Sequence, residues 1–168
     1  MRRDPDPTGP ERQQLAAFLD FQRETVLLKT EGLDRAQLAQ PLPPSTLTLA
    51  GLVNHLALVE DNWFRVRFAG MPEDPLWSAV DWDADRDYEF RTGAELDPEE
   101  LRRRYRDACE RSREVVAAAA LDQLSMAPDG DGLRRDLRWI LLHMIEETAR
   151  HAGHADLIRE SIDGTVGE

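Results

Sequence analysis

Every stretch of apolar periodicity in this chain is helical. Four segments repeat apolar side chains every three to four residues, and none alternates them at the period of two that a half-buried strand requires. The first segment runs from about Glu11 to Thr30, with Leu15, Phe18, Leu19, Val26 and Leu27 on one side and Gly32 as a stop. The second opens on Thr48 as a capping residue and reaches Phe68 before Gly70, presenting Leu49, Leu52, Val53, Leu56, Val59 and Phe64. Asp97-Pro98-Glu99-Glu100 is a helix start with a capping acid, proline at the first position and acids in the first turn; that helix runs to about Leu121. The last starts near Asp136 and reaches Ile162, with Gly164 behind it. The expected fold is all-α, a four-helix bundle with one long crossover between its second and third helices. That crossover, residues 70–97, holds Pro72, Pro75, Gly93 and acids, with Trp77, Trp82, Tyr88 and Phe90 scattered through it. It is too long for an idle connector and is expected to pack over something.

A chain of 168 residues suits one domain, here residues 1–168, with the Pro-rich residues 1–10 as a flexible tail. Its 33 acidic against 21 basic residues give a net charge of −12, which argues against nucleic acid and against an anionic membrane surface. No run approaches the roughly 18 apolar residues of a membrane span, and the N-terminus lacks the apolar core of a signal peptide. The lone cysteine, Cys109, cannot form an internal disulfide and excludes a Cys-based zinc finger. Together these point to a cytoplasmic protein. Lys29 is the one lysine among the basic residues, the imprint of a GC-rich genome.

Chemistry concentrates in the last helix, along Leu142-His-Met-Ile-Glu-Glu-Thr-Ala-Arg-His-Ala-Gly-His154. At about 100° per residue, Glu147, His151 and His154 fall about 40°, 80° and 20° from His143, so the four share one stripe. Ile140, Met144 and Ile158 lie on or beside that stripe, which therefore faces inward. Buried imidazoles and a carboxylate are costly unless paired or metal-bound. Two side chains four apart can converge on one ion, as in helical zinc motifs. A third ligand must come from elsewhere, and His55, among the apolar residues of the second helix, is the one histidine left. Spacing leaves three sets open: Glu147 with His151, His143 with Glu147, or histidines alone. A buried polar network without metal satisfies the same pattern.

The stretch Asp136–Glu160 with Ile162-Asp-Gly164 resembles the DinB/YfiT-like superfamily, in particular its actinobacterial mini-circle branch. The resemblance extends to Leu49-Ala-Gly-Leu-Val-Asn-His-Leu56, to Trp63-Phe64 and to Cys109-Glu-Arg-Ser-Arg-Glu-Val-Val116. It implies a bundle that binds a divalent metal through one histidine of the second helix and two side chains four apart on the last. The commonest pair is His and His; here it is Glu147 and His151, a departure similar to the mycothiol-dependent maleylpyruvate isomerases, whose zinc is held by two His and one Glu. The carried-over ligands are His55, Glu147 and His151. Two His and a carboxylate leave an open position, the catalytic zinc pattern, although nickel, manganese or iron suit the same set.

The resemblance further implies an enzyme that uses a low-molecular-weight thiol, mycothiol here, for S-transfer to or isomerisation of a small electrophile. Rival readings are a hydrolase with a metal-activated water, and a non-enzymatic, metal-stabilised binding module. A homodimer is implied by resemblance alone. His143 and His154 are candidates for orienting the ligands or shuttling a proton, with helix packing as the plain alternative. Arg150 and Arg159 are candidates for binding a carboxylate of the thiol cofactor, against simple solvation. Asn62 can line the pocket, Trp77 and Trp82 can form a lid or anchor the crossover, and Trp63, Phe64 and Trp139 read as core. Cys109 reads as a small buried residue rather than a nucleophile.

Overall fold

The computed structural model describes Arg2 and residues 4–167. Helix α1 spans Glu11–Leu28, α2 Arg35–Leu38, α3 Leu49–Glu60, α4 Pro75–Ser78, α5 Tyr88–Gly93, α6 Pro98–Ala118 and α7 Leu137–Asp163. Among the described residues the sole β feature is an isolated antiparallel bridge between Leu124 and Asp136, so the all-α expectation holds. The local signals act as expected. Thr48 accepts from the Gly51 amide, Asp97 from Glu99 and Asp136 from Trp139, while Pro98 occupies the first turn of α6. Gly164 closes α7 at φ 77°, a left-handed conformation that would strain any residue with a Cβ. Helix α2 has a full capping box, Asp34 with Gln37, which the periodicity had not indicated.

The second long helix is one rod wound in two ways. Its α-helical part ends at Glu60 and a π-helical segment, Asp61–Phe68, carries it on. The change falls where two buried carboxylates meet arginines of other helices. Glu60 is held bidentately by Arg23 of α1, at 2.7 and 2.6 Å, and Asp61 by Arg111 of α6, at 2.9 Å. These ion pairs are tertiary contacts, absent from the local pattern.

Helix α1 packs along α7, and α3 packs on α6, α5 and α7. One core cluster joins Val26, Leu52, Leu56, Tyr105, Ala152, Ala155 and Ile158; a second joins Leu19, Phe64, Phe68, Leu137, Ile140, Leu141 and Met144. Phe18, expected inside, is about half exposed. The crossover is not a bare loop: it contains α4, whose Trp77 is buried, and α5, which lies directly on α3. At the N-terminus Arg2 stacks on Phe21 and the Asp6 carbonyl accepts from Gln14, so the described part of that segment lies against α1. Met1 and Arg3 of the expected tail fall outside the described residues. Among the described residues no helix is long and apolar enough to cross a membrane.

Candidate metal centre

Capping at Asp136 fixes where α7 begins and therefore which of its residues face α3. Glu147 and His151, one turn apart, project toward His55 near the middle of α3. Glu147 Oε1 lies 3.3 Å from His55 Nε2 and 3.2 Å from His151 Nε2, and one donor atom from each residue lies within 4.8 Å of the others. Ligands placed tetrahedrally at the usual zinc–nitrogen and zinc–oxygen lengths stand about 3.3 Å apart. Two edges of this triangle already have that length. The donor set, two imidazoles and one carboxylate, is the one expected of a divalent ion with an open position, so the residues present fit such a group.

Electrostatics point the same way. Burial disfavours a charged His55, but hydrogen bonds to Glu147 and Glu89 outweigh it and raise its pKa. Hydrogen bonds from His151 and His55 hold the Glu147 carboxyl far below the ordinary range, against the opposing effect of burial. The triad is thus an anionic carboxylate flanked by two ring nitrogens. An ionised carboxylate only accepts. Facing an unprotonated Nε2 it is repelled, so this arrangement wants a cation, a proton or a metal, between its members.

Two further contacts reach the histidines from behind. His55 Nδ1 lies 3.0 Å from Oε1 of Glu89 on α5, and Phe90 stacks on the His55 ring at 4.5 Å and 17°. His151 Nδ1 lies 3.5 Å from Nδ1 of His154, placing His154 beside the triad as its position on the stripe suggested. Glu89 is the contact that sequence reasoning missed. It sits in an acid-rich crossover among many carboxylates, and only the fold singles it out.

The remaining candidates lie elsewhere. His143 shares the α7 face but is held between Trp139, stacked at 5.2 Å, and Trp63, edge-on at 4.7 Å, with Glu146 3.9 Å away; its neighbours are aromatic rather than the three donors. Arg150 is exposed and pairs with Glu146. Arg159 is tied to the carbonyls of Lys29 and Glu31 and to Asp163, where it fastens the end of α1 to α7. Asn62 is half-buried in the π segment; its neighbour in sequence type, Asn54, is fully buried and donates to the Glu89 carbonyl at 2.7 Å. Trp77 is a buried anchor, Trp82 packs edge-on against Tyr88, and Trp139, read as core, is more than a third exposed. Cys109 is buried, and burial pushes its thiol pKa well up, which suits packing and not nucleophilicity. A cavity of about 460 Å³ opens between the π segment and α6, lined by Phe68, Met71, Arg111 and Met126; none of the three donors borders it.

The fold has relatives. A conserved protein from Enterococcus faecalis superposes with a TM-score of 0.70 over 94% of this chain and 100% of its own, at 15% identity. The mycothiol-dependent maleylpyruvate isomerase superposes at 0.62 over 86% of this chain and 60% of its own, at 16% identity. A point mutant of that isomerase gives 0.63 over 94% and 62%, at 14% identity. This chain therefore spans about three fifths of the isomerase's length, and at such identities the likeness concerns the fold. No curated protein sequence matches significantly. The sequence profile described as mycothiol-S-transferase, however, matches residues 14–164, nearly the whole chain and both helices that carry the triad: the protein belongs to the mycothiol S-transferase family.

Proposed function

We propose that the protein is a divalent-metal-dependent enzyme that activates a low-molecular-weight thiol, mycothiol, for S-transfer to, or isomerisation of, a small electrophile. His55, Glu147 and His151 hold the ion, zinc before nickel, manganese or iron. The observation that carries this reading is the convergence of three donor atoms within 4.8 Å from two helices, in a member of the mycothiol S-transferase family. A free thiol has a pKa near ~8.5 and is mostly protonated at neutral pH; a divalent cation supplies the field that stabilises its thiolate.

The chain's own residues do the rest. Glu147 bridges the two imidazoles and contributes the one negative charge among the three donors. His154, next to His151 and half-buried, is placed to orient that ligand or to pass a proton to solvent. No protein thiol takes part, because Cys109 is sealed in the core. The protein's partners are accordingly a small-molecule thiol and an electrophile, with neither nucleic acid nor membrane.

Metal content measured by inductively coupled plasma mass spectrometry on untagged protein, beside His55→Ala and His151→Ala, tests the site. One divalent ion per chain, lost in both folded variants, supports it; a wild type that takes up no zinc, nickel or manganese refutes it. Turnover of an electrophile is then compared with and without added mycothiol. Turnover that does not need the thiol would replace transfer by hydrolysis.

A further inference from the structure

Glu89 is a buried carboxylate with an unusual set of neighbours. It is 5% exposed, its Oε1 faces His55 Nδ1 at 3.0 Å, and its Oε2 is buried without a hydrogen-bond partner. Among the described residues no arginine or lysine pairs with it, whereas the other two buried acids, Glu60 and Asp61, are held by Arg23 and Arg111. An unpaired buried charge is strongly unfavourable. Folding nevertheless keeps it there by several independent devices. Buried Asn54, on α3 one residue before His55, donates to the Glu89 carbonyl and accepts from Arg104. Gly93 of α5 lies so near Ala50 of α3 that a Cβ would stand 2.5 Å from the Ala50 oxygen, and a Cβ on Gly51 would stand 2.8 Å from the Phe90 carbonyl oxygen. Helices α3 and α5 therefore touch backbone to backbone, and Phe90 clamps the His55 ring in plane.

We propose that Glu89 is a positioning residue of the metal centre, accepting the Nδ1 proton of His55 so that Nε2 is unprotonated and aimed at the ion. This rests on the metal-site reading above. Both ring nitrogens of His55 face a carboxylate, and a carboxylate only accepts; with a cation on the Nε2 side, shared with Glu147 and His151, the proton of a neutral His55 is confined to Nδ1, where Glu89 accepts it. A cation at Nε2 draws charge through the ring, makes Nδ1–H a stronger donor and gives the isolated Glu89 charge a compensating partner. Such outer carboxylates hold ligand orientation, and their loss typically lowers metal affinity ten- to hundredfold. Helix α5 is thereby part of the site, although it supplies no ligand.

The test is zinc affinity by chelator competition on the full chain, with Glu89→Ala and Glu89→Gln beside wild type, and folding checked by circular dichroism. The expected result is one ion per chain in all three, held ten- to hundredfold more weakly by Glu89→Ala. Glu89→Gln, which still accepts a hydrogen bond but without charge, falls between. A second readout is the His55 Nδ1 proton in the NMR spectrum of the zinc-loaded protein. It is expected to be downfield and slow to exchange in wild type, and to exchange faster in the variants. A purely structural role for Glu89 would change stability and leave this proton alone. Wild-type affinity and an unchanged Nδ1 proton in the variants overturn the proposal while the metal site stands. A wild type that binds no metal removes the site itself, and this inference with it. Should Glu89→Ala fail to fold, Glu89→Gln decides by the same two readouts.

Discussion

The tight seam between α3 and α5 predicts that a single methyl on a helix that supplies none of the three donors will weaken metal binding. In Gly93→Ala the new Cβ would stand 2.5 Å from the Ala50 oxygen, 2.9 Å from its carbonyl carbon and 3.0 Å from Asn54 Cβ. Carbon–oxygen contacts settle at about 3.3 Å or more, so α5 must retreat from α3 by about 0.8 Å. The obstacle is backbone on a long helix and cannot swing aside. Overpacking of this kind destabilises by about 1–3 kcal/mol, and the loss of glycine freedom in the unfolded chain offsets about 0.4–1 kcal/mol. The net expectation is about 1–2 kcal/mol of lost stability in urea unfolding. Glu89 travels with α5, and a retreat of about 0.8 Å takes its contact with His55 beyond the roughly 3.2 Å limit of an N–H···O bond. Zinc affinity should then fall about as far as in Glu89→Ala, ten- to hundredfold. Gly153→Ala is the matched control, because a Cβ there meets nothing within 4 Å. It should raise stability by about 0.5–1 kcal/mol and leave zinc binding unchanged. A Gly93→Ala protein as stable as wild type, with unaltered zinc affinity, would refute the coupling of the seam to the site.

Glu60→Gln leaves the buried Arg23 guanidinium with Asp20 as its one remaining carboxylate partner and should lose up to about 3–5 kcal/mol, read by urea denaturation. The Cys109 thiol, 2% exposed, should resist Ellman's reagent in the native protein and react only as fast as the chain unfolds, while Cys109→Ala keeps its zinc. Asp163 is held at about 2 by hydrogen bonds from Arg159 and Thr165. Since that lies below its unfolded value, the stabilisation it gives is present above the unfolded pKa and disappears as pH falls through about 2. An NMR titration of its carboxyl should move toward the ordinary range in Arg159→Ala.

The features legible in the sequence are those whose cause is local. Thr48, Asp97 and Asp136 cap helices through amides two or three residues away, and Gly164 stops α7 by its own backbone, so the ends of the long helices could be placed closely. The π-helical winding after Glu60 was not legible, because the apolar spacing through Phe68 reads as continuous helix and the ion pairs at Glu60 and Asp61 reach across to other helices. Helix α5 is six residues long, too short for periodicity, and lies in a stretch whose acids and prolines read as loop. At the site, helical geometry put His143, Glu147, His151 and His154 on one stripe. It did not decide which of them meet His55; that choice came from resemblance. The Glu89–His55 contact joins residues 34 apart through a packing seam, and no spacing rule could have found it.

Why the stripe divides as it does follows from the side chains that separate the helices. Around the triad, α7 contributes Ala152 and Ala155 to the core and α3 contributes Ala50 and Ala57, so the helices can approach closely enough for His55 to reach Glu147. Toward the start of α7 the core is filled by Leu137, Ile140, Leu141 and Met144 against Phe64 and Phe68. Large side chains hold helix axes apart within the 8–10 Å range, and small ones let them close. His143 lies at the bulky end, where Trp63 of the π segment packs edge-on against it. The same residue type on the same face is therefore an aromatic packing element at one end of the seam and a member of the three-donor cluster at the other. Moving the pair one turn back along α7, to positions 143 and 147, would not rebuild a three-donor centre, because the partner helix presents an indole there instead of an imidazole.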